Sequence, residues 1–414
     1  MSRSAEVYTS IDSALAQALA KVRVHRVPET VLPRLAFGRA SAEDVLAPCD
    51  IPKYPTAHWD GYAVISEDLA AAGDASPVSL KVMGAGGPGS HAKVAIVRGE
   101  AYRVATGAGL PSGADSVVPK ESVLVREGQI IVKEPSPPGS HVYGVGDDLR
   151  KGETVVRKGR VIRAQDVGEL IATGFQKVRV WKRPKVSVLA TGSELVDLGQ
   201  PQKGKVVNSH SPVFLRLCET FGCIAIDMGI AKDDSTEITR RLTQALARSD
   251  LILTLGGTSV GERDYITATI GAMRPDVLVH RLKMDRGRVA GIAVVKGKTI
   301  VMMPGPIQGA MNAFLLLAIP IIEVLSGTEE RQAEILCRFR GDWKARSKYA
   351  DFRKVIYVKL ERETETTARP LLAETESMKI LTEADGCIVV PENVTRIESG
   401  ERVAVRLVPG FSFA

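Results

Sequence analysis

The stretch Leu251-Ile-Leu-Thr-Leu-Gly-Gly-Thr-Ser-Val-Gly-Glu-Arg-Asp264 decides the fold. Its first five residues are apolar at nearly every position and too few for a helix, the pattern of a strand covered on both faces. Gly256, Gly257 and Gly261 then permit positive φ and close backbone approach, while Thr258 and Ser259 add hydroxyl donors. Backbone amides in such a loop form an anion-binding nest when a helix N-terminus follows, here starting at Asp264. An ordinary strand-to-helix turn, with Asp264 as a cap, fits the same residues.

On either side the chain alternates regularly. Residues 186–190 read as a strand ending in Thr191-Gly-Ser-Glu194, and Ser211-Pro212 reads as an N-cap with proline at the first helical position, opening a helix to 221. A strand at 223–227 and a helix at 235–248 precede the opening motif. After it come a helix from Asp264 and a strand at 299–303, which runs into Pro304-Gly-Pro-Ile307 and a helix to 325. This βαβα order predicts a doubly wound parallel sheet with helices on both faces. Ligands bind at the carboxyl ends of such strands, so Glu194, Asp233 or Asp234, the 256–264 loop and Pro304-Gly305 are expected on one rim. Carboxylates there can hold Mg²⁺, a hard cation that prefers oxygen and neutralises phosphates.

The flanking regions read differently. Ile11, Ala14, Leu15, Ala18 and Leu19 fall at helical spacing, and Ser41-Ala-Glu-Asp44 predicts a capped helical turn. Asp60-Gly61 predicts a turn before a short strand, with Asp60 either a turn residue or a ligand-facing carboxylate. His58 beside it is expected to be packed or solvated. Short strands at 81–83, 102–105, 116–119 and 130–133, separated by Gly/Pro clusters, make a β module, and Arg163-Ala-Gln-Asp166 opens a helix to 173. Beyond Gly327, strands at 333–339, 355–360, 386–390 and 402–407 surround a short helix at 378–384.

Composition bounds the function. With 414 residues, 44% of them apolar and 25% charged, the chain is an ordinary globular sequence long enough for two to four domains. Its greasiest segment, 313–325, is broken by Pro320 and Glu323 and is shorter than the roughly 20 residues a membrane span needs, so a buried helix is expected. No signal peptide is expected either. The five cysteines, Cys49, Cys218, Cys223, Cys337 and Cys387, form no C-x-x-C pair, which argues against a disulfide framework or cysteine zinc site and for a reducing cytoplasm. The formal charge of +7 comes from basic residues scattered along the chain, the pattern of a solvated surface; neither nucleic acid nor membrane is an expected partner.

Four motifs, in order, carry a resemblance: Asp60-Gly-Tyr-Ala63, Thr106-Gly-Ala108, Thr191-Gly-Ser-Glu-Leu195 and Gly256-Gly-Thr-Ser-Val-Gly-Glu-Arg-Asp-Tyr265. In order and spacing the chain resembles the molybdopterin molybdenumtransferases (MoeA type, related to the gephyrin E domain) over nearly its whole length. The resemblance implies an α/β multidomain protein: a central doubly wound parallel-sheet domain of the molybdopterin-binding type at 185–327, and an inserted β domain at 51–146. An extended α/β linker domain would comprise 1–50 plus 147–184, and a C-terminal β domain 328–414. It implies an L-shaped chain that forms a homodimer with a composite active site, inserting molybdate into adenylylated molybdopterin with Mg²⁺ and releasing AMP. The molybdopterin adenylyltransferase and downstream molybdoenzymes would be its partners.

Carried over by motif, Asp60, Glu194, Asp233 and Asp264 would be catalytic, with Glu194 and Asp264 handling Mg²⁺. Thr106, Gly107 and Asp148 would bind substrate from the inserted domain. Thr191, Gly192, Ser193, Gly256, Gly257, Thr258, Ser259 and Gly261 would do so from the α/β domain. Two loops depart from the family pattern. A Lys-Pro-Gly-Lys-Pro-like segment here reads Lys283-Met-Asp-Arg-Gly-Arg288, keeping Lys283, Arg286 and Arg288 as cations, and Pro-Gly-Asn-Pro reads Pro304-Gly305-Pro-Ile307. Both line the substrate or molybdate side in the family, so a paralogue that binds or carries molybdopterin or its nucleotide, or a dimeric scaffold, stays open beside the enzyme.

Overall fold

The computed structural model describes residues 7–90, 94–197, 199, 203–258, 264–329, 333–362, 365–372 and 376–407. The chain divides into two units, one of 1–43, 158–163 and 179–414, the other of 44–157 and 164–178. In the first, Leu251–Leu255 lies inside a six-stranded sheet ordered Ile224–Ala231, Lys185–Thr191, Leu251–Leu255, Lys298–Met303, Gly291–Val295, Val277–His280. All five residues of Leu251–Leu255 are buried. Leu251, Leu253 and Leu255 share one core with Val186, Val188, Phe214 and Phe314, while Ile252 joins Leu189, Ile238, Leu242 and Ile266 in another. Side chains alternate across a strand, so a strand with helices on both faces is apolar at nearly every position, Thr254 being the one buried hydroxyl here.

The sheet is mixed where the sequence predicts only parallel strands. The first four strands run parallel, but Lys298–Met303, Gly291–Val295 and Val277–His280 are antiparallel neighbours. Their hairpin turns on Lys296 and Gly297, whose φ values of 54° and 77° are both positive, as a two-residue turn of the primed kind requires. Lys-Gly is a weak hairpin signal beside Asn-Gly, and this pair of strands is not legible without its partners.

The apolar run Ile307–Ser326 is long and apolar enough to cross a membrane, yet most of it is buried inside the fold, where it serves as a core helix. A π-helical turn, Phe314–Ala318, joins its two α-helical parts. Pro320 has no N–H to offer the carbonyl four residues back, and the ladder widens just before it.

Two local readings are corrected. Ser41–Asp44 forms no helical turn: Ser41 bridges antiparallel to Val180, and its hydroxyl donates to the Glu43 carbonyl at 2.6 Å. Such a short side-chain bond bends the chain as readily as it caps a helix. The helix expected from Ser211 begins at His210, because Asn208 Oδ1 accepts from the Ser211 amide at 3.2 Å and does the capping from three residues upstream. By contrast, Ile11–Leu19 is helical as expected, with Ser10 Oγ accepting from the Ser13 amide. Residues 334–407 close into a five-stranded barrel.

The second unit carries a six-stranded sheet ordered Ser116–Pro119, Gly61–Val64, Glu100–Val104, Val78–Gly86, Gln129–Val132, Val123–Arg126. Gly61 opens a strand and is not a turn glycine. A Cβ there would lie 2.1 Å from the Val118 carbonyl oxygen, so close approach of neighbouring strands requires glycine.

Candidate functional site

In the first unit, the loops leaving the carboxyl ends of the parallel strands surround a cleft of about 840 Å³. Thr191, Gly192 and Glu194 line it from one loop, Asp233 from the next, Gly256 to Thr258 from the third and Gly305 from the fourth. Gly256 and Gly257 sit at φ 85° and 68°, and Cβ atoms on them would lie 2.7 Å from Thr191 O and Thr191 Oγ1 respectively. The loops can approach this closely only with glycine at both positions. Thr191 Oγ1 donates to the Leu255 carbonyl at 3.2 Å and ties the first loop to the third.

The acidic residues divide by what their oxygens already hold. The Ser193 amide donates to Asp233 Oδ2 and the Asp233 amide to Ser193 Oγ, each at 3.0 Å, which fixes Asp233 against the cleft wall. Asp234 instead caps the helix Ser235–Arg248, accepting from the Glu237 amide at 2.8 Å. Glu194 is exposed, with its carboxylate folded over Gly192, and makes no side-chain hydrogen bond among the described residues. Asp264 caps the helix Tyr265–Ala272: Oδ1 accepts from the Thr267 amide at 3.0 Å, and Oδ2 lies 3.6 Å from His280 Nδ1. It does not line the cleft. Ser259 and Gly261 lie outside the described residues, so the loop's amides are seen only at 256–258.

Asn208 and His210 also line the cleft, and sequence reasoning did not find them. Their signal was the Ser211-Pro212 helix start, which places whatever precedes it on the same rim. Burial pushes the His210 imidazole below its ordinary pKa, partly opposed by its hydrogen bond to the Gly305 backbone. The ring is therefore held neutral at physiological pH.

The described lining of the cleft holds two carboxylates and neither lysine nor arginine. Among the described residues no three His, Cys, Asp or Glu side chains gather to hold a metal.

The cations of 283–288 lie elsewhere. Lys283 Nζ donates to Asp351 at 2.9 Å, and Arg288 stacks over the Tyr349 ring at 4.2 Å with Asp285 3.9 Å away. Arg286 donates to Gln308 Oε1 at 2.5 Å and lines a second hollow, of about 500 Å³, with Lys344, Arg346 and Lys354. Arg346 is bonded to Asp285. Lys354, only 2% exposed, donates to the carbonyls of Ala350, Pro391, Glu392 and Val394, and burial lowers its pKa. Nothing in the residues near 346 or 354 marks them, because their partners come from distant segments. Pro304 is buried, while Gly305 faces the cleft.

In the second unit Asp60 Oδ1 accepts from both the amide and the hydroxyl of Thr106, at 2.8 and 2.9 Å, and Oδ2 accepts from Lys120 Nζ at 3.3 Å. The two bonds from Thr106, followed by Lys120, hold the Asp60 carboxyl below the usual carboxylate range. Gly107 turns the loop at φ 80°. Asp148 is exposed and its amide donates to the Ile51 carbonyl at 3.0 Å; among the described residues no hydrogen bond joins it to Asp60. His58 packs its ring 4.4 Å from that of Tyr143.

Three family models match in succession: the MoeA N-terminal region (domain I and II) at 9–174, a "Probable molybdopterin binding domain" at 187–324, and the MoeA C-terminal region (domain IV) at 337–408. A molybdopterin molybdenumtransferase of Staphylococcus aureus (strain COL) is 31% identical over 311 residues, 74% of each chain. A molybdopterin biosynthesis protein of Methanocaldococcus jannaschii is 30% identical over 383 residues, 90% of each. Among solved structures, the molybdopterin biosynthesis MoeA protein from Pyrococcus horikoshii OT3 aligns over 97% of this chain and 100% of its own, with a TM-score of 0.82 and 28% identity.

Proposed function

The chain belongs to the MoeA family of molybdenum cofactor biosynthesis, and from that premise we propose that it is a molybdopterin molybdenumtransferase, taking adenylylated molybdopterin and molybdate and releasing molybdenum cofactor and AMP. The observation that supports this reading is the convergence of four strand-end loops on one cleft with exposed Glu194, fixed Asp233 and a glycine pair in positive φ. In the reaction proposed, an oxygen nucleophile forms a bond to the adenylate phosphorus. With water as that nucleophile, the bond from the phosphorus to the oxygen of the pterin phosphate breaks, the pterin phosphate leaves with the electron pair, AMP keeps the water's oxygen and a proton goes to solvent. Such a step asks for aligned phosphates and charge neutralisation more than for a protein nucleophile. Molybdate then exchanges one oxo group, which leaves as water with the two dithiol protons, for the two dithiolene sulfurs.

Backbone and hydroxyl donors at 256–258 suit the phosphate oxygens, and neutral His210 suits a hydrogen bond without adding charge. Mg²⁺, when bound, would supply positive charge to the substrate phosphates, and Glu194 is the carboxylate best placed to hold it. Asp264, the other expected ligand, already commits Oδ1 to its helix cap. Molybdate, a tetrahedral oxyanion, suits the second hollow, where Arg286, Lys344 and Arg346 supply positive charge. The reading includes a cytoplasmic homodimer whose reaction centre is completed by the Asp60 loop of a second copy, receiving substrate from the molybdopterin adenylyltransferase and serving downstream molybdoenzymes.

The test is to incubate the purified full chain with adenylylated molybdopterin, Mg²⁺ and molybdate. AMP release together with cofactor formation is the expected result. Tight binding without turnover would replace this reading with a carrier, and no binding would leave a scaffold.

A further inference from the structure

At the other end of the first unit's sheet, where its strands begin, lies a third hollow, of about 470 Å³. Four separate segments deliver cations to it: Arg23, three from the 182–185 turn, Arg248 and two from the 296–298 hairpin. Its one acid, Asp250, accepts from the Lys185 amide at 2.8 Å, and Lys298 spends its Nζ on the Leu246 carbonyl at 2.6 Å. Arg23, Arg183, Lys185, Arg248 and Lys296 make no side-chain hydrogen bond or ion pair among the described residues. The acid felt by Lys182 and Arg183 from outside the hollow, Glu29, is already paired with Arg39.

Seven cations and a single carboxylate surround this one hollow, a local excess of positive charge. Scattered in sequence, they are gathered only by the fold. A concave cluster of like charge focuses potential, and its mutual repulsion is relieved by a bound anion. The lining offers no Phe, Tyr or Trp on which a nucleobase could stack, and the cations ring a hollow instead of following a stripe, which disfavours single-stranded nucleic acid. Arg forks and Lys ammonium groups together match phosphate oxygens.

We propose that this hollow is a binding site for a small polyanion bearing two or more phosphate groups, separate from the reaction cleft. Isothermal titration of the full chain with inorganic triphosphate, without Mg²⁺ and at about 50 mM salt, tests it. One-site binding is expected, weakened at least about tenfold by the double substitution R183A/K296A, since two charge-assisted contacts are lost. Both side chains are exposed, so an unchanged melting temperature checks that the variant is folded. R286A, in the second hollow, should leave the binding as it was. Equal affinity in the double variant, no binding by the parent chain, or orthophosphate binding as tightly as triphosphate would each overturn the proposal. A single-stranded oligonucleotide that displaces triphosphate at lower concentration would overturn it in favour of nucleic acid.

Discussion

Asp60 and Thr106, 46 positions apart, meet through two hydrogen bonds to a single carboxylate oxygen, one from the Thr106 amide and one from its hydroxyl. Both favour the charged carboxylate, so its pKa lies below the ordinary value of 3.8. Its contribution is complete above the unfolded value and is lost as pH falls through the lower folded one. Thr106→Val keeps the amide bond and removes the hydroxyl. The Asp60 carboxyl should then titrate at higher pH, part of the way back to 3.8, in a carbon-13 NMR titration. An unmoved midpoint would show that the hydroxyl bond does not exist in solution.

Glu194 has an exposed carboxylate that supports nothing in the fold. Glu194→Gln should therefore leave the unfolding midpoint unchanged while slowing AMP release by about 100-fold, the scale of losing one electrostatic contact in a transition state. Parent-like turnover would remove Glu194 from the mechanism.

His210 behaves oppositely to a histidine that gains a partner. Because burial lowers its folded pKa, the unfolded chain binds the proton more readily, and stability drops as pH falls from the unfolded value of 6.5 through the folded one. The parent should lose more stability to urea between about pH 7.5 and about pH 5 than His210→Asn does. Equal losses would mean that the ring titrates normally.

The two glycine contexts of the cleft should respond differently. Gly257→Ala forces a Cβ to 2.7 Å from Thr191 Oγ1 and 2.8 Å from Ile266 Cγ1 at φ 68°, and should cost about 1–3 kcal/mol in chemical denaturation. Gly305→Ala meets nothing within 4 Å and should be close to neutral. Similar costs at both positions would contradict the loop packing.

Asp264 can be separated into its cap and its charge. Asp264→Ala removes the acceptor for the Thr267 amide and should cost about 1 kcal/mol, whereas Asp264→Asn keeps an acceptor and should cost a few tenths. Urea unfolding of the pair measures the difference. If Asn is as damaging as Ala, the pairing with His280 matters more than the cap.

The sequence alone determined the strand Leu251–Leu255, the helix Ser235–Arg248, and the rim on which Glu194, Asp233, Gly256 and Gly305 meet. Periodicity and the rule that ligands sit at strand carboxyl ends depend only on local order along the chain, and that order is written in the residues. The tertiary structure decided what depended on partners far away in sequence. It chose Asp233 for the cleft and Asp234 for a cap, turned the 291–303 hairpin antiparallel, and showed Gly61 to be a close-approach glycine. It also carried Arg286 to a separate cationic hollow beside buried Lys354, and brought His210 into the cleft. Side-chain charge and burial belong to these long-range contacts. A scattered set of lysines and arginines therefore looks like solvated surface in sequence and becomes a focused positive field only when the strand beginnings are packed side by side.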